Sequence, residues 1–221
     1  MKSTTSHALA LVGLTAFAWV SEAQAPAAAP FQPGRHYTVL APAQPTSTDT
    51  GKVEVAEVFQ FGCGACYGFE PHIQTWLARK ADYVNFVRIP AIWNPIGMVH
   101  ARAFYAAEAL GKTEEIDGPF FAEFHTNRNA LDTEAKLAEL FAKHGVDAAT
   151  FKSAFNSFAV NAKLKRAEEL VKRYGVNGTP TMVVNGKFVV TGDNAGSYAN
   201  WFAIIDDLAA REHAAAATAA R

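Results

Sequence analysis

Apolar positions change period several times along the chain, and each change marks an element. In Val53-Glu54-Val55-Ala56-Glu57-Val58-Phe59-Gln60-Phe61 the odd positions are apolar except Glu57, and Val58 adds to the other side. That pattern predicts a central strand covered on both faces, with Glu57 pointing where apolar groups point. From Gly64 to about Lys80 the spacing turns helical, with Phe69, Ile73, Trp76 and Leu77 forming one face. Val84 to Ile89 reads as another strand, ended by Pro90. A strand–helix–strand unit of this length predicts parallel pairing through a right-handed crossover. Ahead of it, His36 to Leu40 predicts a short first strand, and the Pro/Thr/Ser-rich stretch Pro42 to Gly51 a loop.

Strand signals then stop from about Pro95 to Ala167. Thr133 opens a helix bearing Leu137, Leu140 and Phe141, closed by Gly145, and Asp147 caps a segment carrying Phe151, Phe155 and Phe158. Val160, Leu164, Ala167, Val171 and Tyr174 mark a longer helix ended by Gly175. These stripes read as the core of an all-helical insertion. Strands resume at Thr181 to Val184 and Phe188 to Val190. Asn185-Gly186 between them is a hairpin signal, because a type I′ turn needs positive φ at both central residues. Ser197 to Leu208 is a terminal amphipathic helix, and the Ala-rich tail after Glu212 either extends it or frays.

Composition narrows the class. With 221 residues, 50% of them hydrophobic, the chain can build one core plus a sizeable insertion, or two small domains. A formal net charge of -1 argues against a nucleic-acid or anionic-membrane partner, which needs a dominant basic patch. Lys2, the apolar run Ala8 to Val20 and the small residues of Ala23-Gln24-Ala25 form an export signal over residues 1–25, with the mature chain starting at Pro26 and a spacer to Pro33. Cleavage removes one Lys and one Glu, so the net charge of -1 is unchanged. Export places the chain in an oxidising compartment, where disulfides persist.

The two cysteines of the chain, Cys63 and Cys66, lie in Phe61-Gly62-Cys63-Gly64-Ala65-Cys66-Tyr67, after a strand and opening a helix. A thiol there faces unpaired N–H groups and the positive end of the helix dipole, which favour thiolate. A dipole effect of up to about 2 kcal/mol would bring a thiol of pKa about 8.5 to near neutrality. Cys63, at the very start, is the candidate nucleophile; Cys66 sits one turn in. Two duller readings compete. As a structural staple the short loop is worth only about 1.9 kcal/mol, against about 3 for a 15-residue loop. As a metal site the pair lacks partners, since no two histidines have zinc-finger spacing.

The strand, the C-x-x-C at a helix start, the helical block, Gly178-Thr179-Pro180-Thr181, the hairpin and the final helix together resemble the DsbA-type periplasmic thiol:disulfide oxidoreductases of the thioredoxin superfamily. The matching stretches are Glu57 to Glu70 and Val176 to Thr181. The resemblance implies an α/β thioredoxin fold with an inserted all-helical domain. Its first part would span residues 35–94, the insertion 95–166, and the second part 167–213. It implies that Cys63 and Cys66 form a redox-active disulfide, with Cys63 as nucleophile and Cys66 resolving the mixed disulfide. Thr179-Pro180 would be the cis-proline dipeptide that pairs with extended substrate. Glu57 would be the buried acid that exchanges a proton with Cys66, alone or paired with Arg88, whereas Glu70 reads as a solvated charge. Reduced, unfolded secreted proteins would be the substrates, and a DsbB-type quinone-linked membrane oxidase the partner of a monomeric enzyme without bound cofactor. Where well-known members of the family carry Pro-His between the cysteines, this chain has Gly64-Ala65, so one imidazole source of thiolate stabilisation is missing. Two alternatives stand beside the oxidase: a disulfide reductase or isomerase of the same superfamily, and a noncatalytic peptide-binding module.

Overall fold

The computed structural model describes residues 30–49 and 51–219. The export signal, its cleavage point and the first half of the Pro26–Pro33 spacer lie outside the described residues. The elements run β1 (Thr38–Val39), β2 (Val53–Phe59), α1 (Gly64–Leu77), β3 (Val84–Pro90), α2 (Pro95–Ala109), α3 (Thr113–His125), α4 (Glu134–Lys143), α5 (Ala148–Phe155) and α6 (Phe158–Arg173). Then follow β4 (Thr181–Val184), β5 (Phe188–Thr191), α7 (Gly192–Ala195) and α8 (Tyr198–Ala219).

The strands form one five-stranded sheet in the order β1-β5-β4-β2-β3. β2 and β3 are parallel, with Glu57 opposite Arg88, and the other pairings are antiparallel. All seven residues of β2 are buried, as its two-sided pattern requires. On one face, Phe69, Ile73 and Trp76 of α1 and Trp201, Phe202, Ile205 and Leu208 of α8 pack on Val53, Val55, Met182 and Val184. On the other, the helices between β3 and β4 join Ala56, Val58 and Phe59 in a second cluster. The sheet is therefore the middle of three layers, and the helical segment is fused to it by a shared core.

Local chemistry sets the boundaries. Asn94, Thr133, Asp147 and Ser157 each accept a backbone N–H as N-caps, which opens α2, α4, α5 and α6. Asn185 (φ 51°) and Gly186 (φ 62°) make the hairpin turn between β4 and β5. Gly186 could not be replaced there, since a Cβ would lie 2.1 Å from the Gln44 carbonyl oxygen.

Some expectations change. The first strand is two residues rather than five, because it pairs only with Phe188 and Val189 at the sheet edge. Phe158 does not join Phe151 and Phe155: Ser157 caps a new helix, the phase restarts, and Phe158 is 87% exposed at its first turn. α6 runs unbroken across residues 166 and 167, so a single rigid rod links the helical segment to β4. Of the two courses expected for the Ala-rich tail, it takes the helical one, continuing α8 through Ala219.

Candidate active site

β2 ends at Phe59, and the chain turns through Gly62 into α1, so Cys63 stands at the carboxyl end of the parallel β2–β3 pair. That edge is where open α/β sheets gather their chemistry. Cys63 is itself the N-cap of α1: its backbone is extended (φ −88°, ψ 116°) and its Sγ accepts the Cys66 N–H at 3.3 Å. Cys66 is fully buried against Phe61 and the helical segment, while Cys63 is half-buried, and both are free thiols. The reachable sulfur is thus Cys63.

The two thiols divide one proton unequally. Donation from the Cys66 side chain, helped by the Thr179 side chain and the Cys66 and Ala65 N–H groups, pulls the Cys63 pKa down to about 5 against the cost of partial burial. Cys66 moves the opposite way, well above the ordinary thiol range, because it donates to Cys63, is buried, and feels the charge of Glu57. The largest contribution to Cys63 is therefore its own partner, ahead of the backbone groups that its helix-start position advertises. The Thr179–Pro180 peptide is cis, and the Thr179 carbonyl lies 3.3 Å from Cys63 Sγ, where it accepts from the protonated thiol. Thr179 thus acts both ways, its carbonyl on the thiol and its side chain on the thiolate. Cys63, Cys66, Thr179 and Pro180 converge at one place.

Glu57 is 1% exposed and meets Arg88 Nε at 2.9 Å. Burial pushes its pKa up to about 7, with Arg88 pulling down and Glu70 and Asp117 pushing further up. Glu70 is not a solvated charge. Its carboxylate accepts from Arg88 Nη2, and Asp117 of α3 accepts from Arg88 Nη1 at 3.0 Å. Burial opposes the Arg88 charge, yet the three carboxylates hold its pKa above the ordinary range. Three acids share one buried guanidinium, and burial raises the pKa of the two most enclosed, Glu57 and Asp117, to about 7 and about 6.

Sequence reasoning missed Asp117 and the burial of Glu70, although a signal existed. Asp117 lies four residues before the buried Phe121 and beside Ile116, on the apolar stripe of α3, and Glu70 follows the buried Cys66 at i+4. It also missed His125, which the last turn of α3 brings against the cysteine loop. His125 Nε2 lies 2.7 Å from the Phe61 carbonyl oxygen, and its ring stacks on Tyr67 at 4.8 Å. Among the described residues no group of three or more His, Cys, Asp or Glu side chains is arranged to hold a metal.

A family model for the DSBA-like thioredoxin domain matches residues 97–200. The chain is 38% identical to the thiol:disulfide interchange protein DsbA of Burkholderia cepacia over 188 residues, which covers 85% of this chain and 86% of that protein. It belongs to the DsbA family. The crystal structure of Pseudomonas aeruginosa DsbA superposes with a TM-score of 0.79 at 36% identity, covering 84% of this chain and 96% of that one. The Xylella fastidiosa DsbA structure follows at 0.76 and 30%, covering 81% and 96%. This DsbA-family chain is a thiol:disulfide oxidoreductase that introduces disulfides into proteins, and its fold is the α/β thioredoxin fold with helical additions. That assignment favours the oxidase over the reductase, isomerase and pure binding readings.

Proposed function

We propose that the oxidised enzyme carries a Cys63–Cys66 disulfide and acts on reduced, unfolded secreted proteins in the periplasm, after removal of residues 1–25. A substrate thiolate attacks Cys63 Sγ; the S–S bond breaks, and Cys66 leaves with the electron pair and takes up a proton. The second substrate thiolate then attacks the substrate sulfur of the mixed disulfide and expels Cys63 as thiolate. The substrate has lost two electrons and the enzyme has gained them. Attack by Cys66 on the mixed disulfide runs this sequence backward, so Cys66 is the leaving group of the forward reaction and the resolving thiol only of its reverse. Glu57 lies close enough for its charge to act on Cys66, and it serves as the proton partner of that sulfur. Thr179 and Pro180 line the substrate side. A DsbB-type, quinone-linked membrane oxidase would regenerate the disulfide of a monomeric enzyme. We divide the chain at 94/95 and 166/167, with α6 bridging the second boundary.

The observation that carries this reading is the placement of the two sulfurs. Cys63, half-buried, caps α1 with its Sγ on the Cys66 N–H at 3.3 Å and beside Thr179, while Cys66 is fully buried. That arrangement lowers the Cys63 pKa to about 5 and raises that of Cys66. A stable Cys63 thiolate is a good leaving group and favours the reduced enzyme, so electrons flow from substrate to protein. Equilibration in glutathione buffers, following the Cys63–Cys66 redox state, tests it. We expect a potential far above the roughly −270 mV of thioredoxin, and a value near that figure would reverse the direction.

A further inference from the structure

β2 ends at Phe59, so the Phe61 carbonyl has no place in the sheet, yet Phe61 is 1% exposed and a buried carbonyl needs a donor. Among the described residues no backbone N–H outside the helices and strands reaches it, and the group that does is His125 Nε2 of α3, at 2.7 Å. A carbonyl oxygen can only accept, so Nε2 carries the proton and His125 is the donor. That carbonyl belongs to the middle peptide of a tight turn. The Cys63 N–H donates to the Gln60 carbonyl at 3.1 Å, and neither Phe61 nor Gly62 has positive φ, which together describe a type I turn. Glycine at the third position equally allows type II, in which the same middle peptide is turned over. The Gly62 N–H would then face His125 where the carbonyl now sits, and two donors would meet. The His125 hydrogen bond therefore selects type I.

We infer that His125 is a positioning residue of the disulfide reaction: by donating to the Phe61 carbonyl it keeps the Gln60–Cys63 turn in the form that seats the Cys63 sulfur on its hydrogen-bond partners. Cys63 both ends this turn and caps α1, so the turn type sets where Sγ meets the Cys66 N–H and the Thr179 carbonyl, each 3.3 Å away. The residues between the cysteines supply no such restraint. A Cβ at Gly64 would meet nothing within 4 Å, and Ala65 is exposed. α3 restrains the loop from outside instead. Before the cysteines Phe120 stacks on Phe61 at 3.9 Å; after them the His125 ring stacks on Tyr67, and Thr126 Oγ1 pairs with the Tyr67 hydroxyl at 3.2 Å. Without the His125 donor the turn visits both forms, and Sγ leaves its partners part of the time. The thiolate then loses stabilisation, and the disulfide gains relative to the dithiol. The inference rests on Cys63 as the sulfur that substrate attacks.

The test separates the donor from the ring. His125→Phe keeps an aromatic ring against Tyr67 but cannot donate, whereas His125→Gln puts an amide N–H in the place of Nε2–H and carries no charge. In glutathione buffers the equilibrium constant for reducing the Cys63–Cys66 disulfide should fall about fivefold in His125→Phe, as loss of one hydrogen bond supports, and the thiolate midpoint should rise by about 0.7 of a pH unit. His125→Gln should recover most of both. A side chain that only stabilised the fold would act on both redox forms alike and move neither. Should the variants fail to fold, ¹⁵N spectra of the reduced wild-type protein give a second measurement, in which the neutral His125 ring should carry its proton on Nε2. Wild-type values in His125→Phe, a His125→Gln protein as impaired as His125→Phe, or a bare Nε2 would overturn the role. Alkylation of Cys66 in preference to Cys63 by iodoacetamide at mildly acidic pH would instead remove the reading beneath it.

Discussion

Glu57 and Arg88 face one another across the parallel β2–β3 pair, and the Arg88 Nε–H donates to the Glu57 carboxylate at 2.9 Å with both side chains nearly sealed from solvent. Arg88 also holds Glu70 and Asp117, so its removal leaves three acids without a cation. Arg88→Met should cost about 3–5 kcal/mol at pH 8, the usual penalty for uncompensated buried charge. The sign with pH follows from the raised acids: their proton affinities rise further in the variant, so its stability is lost as pH increases. Urea unfolding should show a clearly smaller loss at pH 5, and an equal loss at both pH values would show that packing, not charge, is responsible.

For the cysteines, the proton division has two measurable consequences. The thiolate absorbance of the reduced protein should titrate with a midpoint of about 5, and Cys66→Ala, which removes the main donor to Cys63, should move that midpoint upward. Reduction then consumes two electrons and a single proton, which Cys66 takes up. The potential should fall by about 30 mV per pH unit between pH 6 and 8, half the roughly 59 mV expected if both thiols bound protons. A slope near the larger value would mean that Cys63 is not a thiolate there.

Much of the scaffold was legible because it is written locally. The two-sided apolar run of β2, the stripe Val160-Leu164-Ala167-Val171 and the Asn185-Gly186 turn each specify geometry within a few residues. Phe158 misled because it continues the phase of Phe151 and Phe155, whereas one serine hydroxyl on the Val160 N–H restarts the helix. The position of the cysteines at a helix start was equally local. The size of the Cys63 shift was not, since its largest contribution comes from the other thiol. Glu70 and Asp117 show the same boundary: their partner, Arg88, lies 18 and 29 residues away in sequence, and only the assembled sheet and helices bring them together.

Thr179 offers a separable effect on redox poise. Its side chain favours the Cys63 thiolate, while its backbone carbonyl does not depend on side-chain identity. Thr179→Val keeps the shape and removes the hydroxyl. The reduced enzyme loses about 1.5 kcal/mol, the low end for a hydrogen bond to a charged group, so the potential should become more negative by about 30 mV and the thiolate midpoint should rise. Glutathione equilibration and the absorbance titration check both, and an unchanged potential and midpoint would exclude the side chain from this role.

Asp117 ties the helical segment to the redox site, and its energetics should change sign with pH. One carboxylate oxygen accepts from Arg88, while the other is buried without a hydrogen-bond partner. Burial pushes its pKa up to about 6 despite the pull of Arg88. A raised acid contributes stability that is full below its unfolded pKa, near 4, and is lost as pH rises through about 6. Asp117→Asn removes that dependence and also relieves Glu57 of a neighbouring negative charge, so the Glu57 pKa should fall from about 7. At pH 5 the substitution should therefore cost stability, since a hydrogen-bonded acid that holds its proton is lost. Toward pH 8 the cost should shrink by about 1–3 kcal/mol, to neutral or stabilising, as the variant avoids confining a third anion around one guanidinium. Urea melts of both proteins from pH 5 to 8 measure the difference directly. A stability difference that stays constant with pH would show that Asp117 serves packing alone and leaves the proton uptake of the site to Glu57.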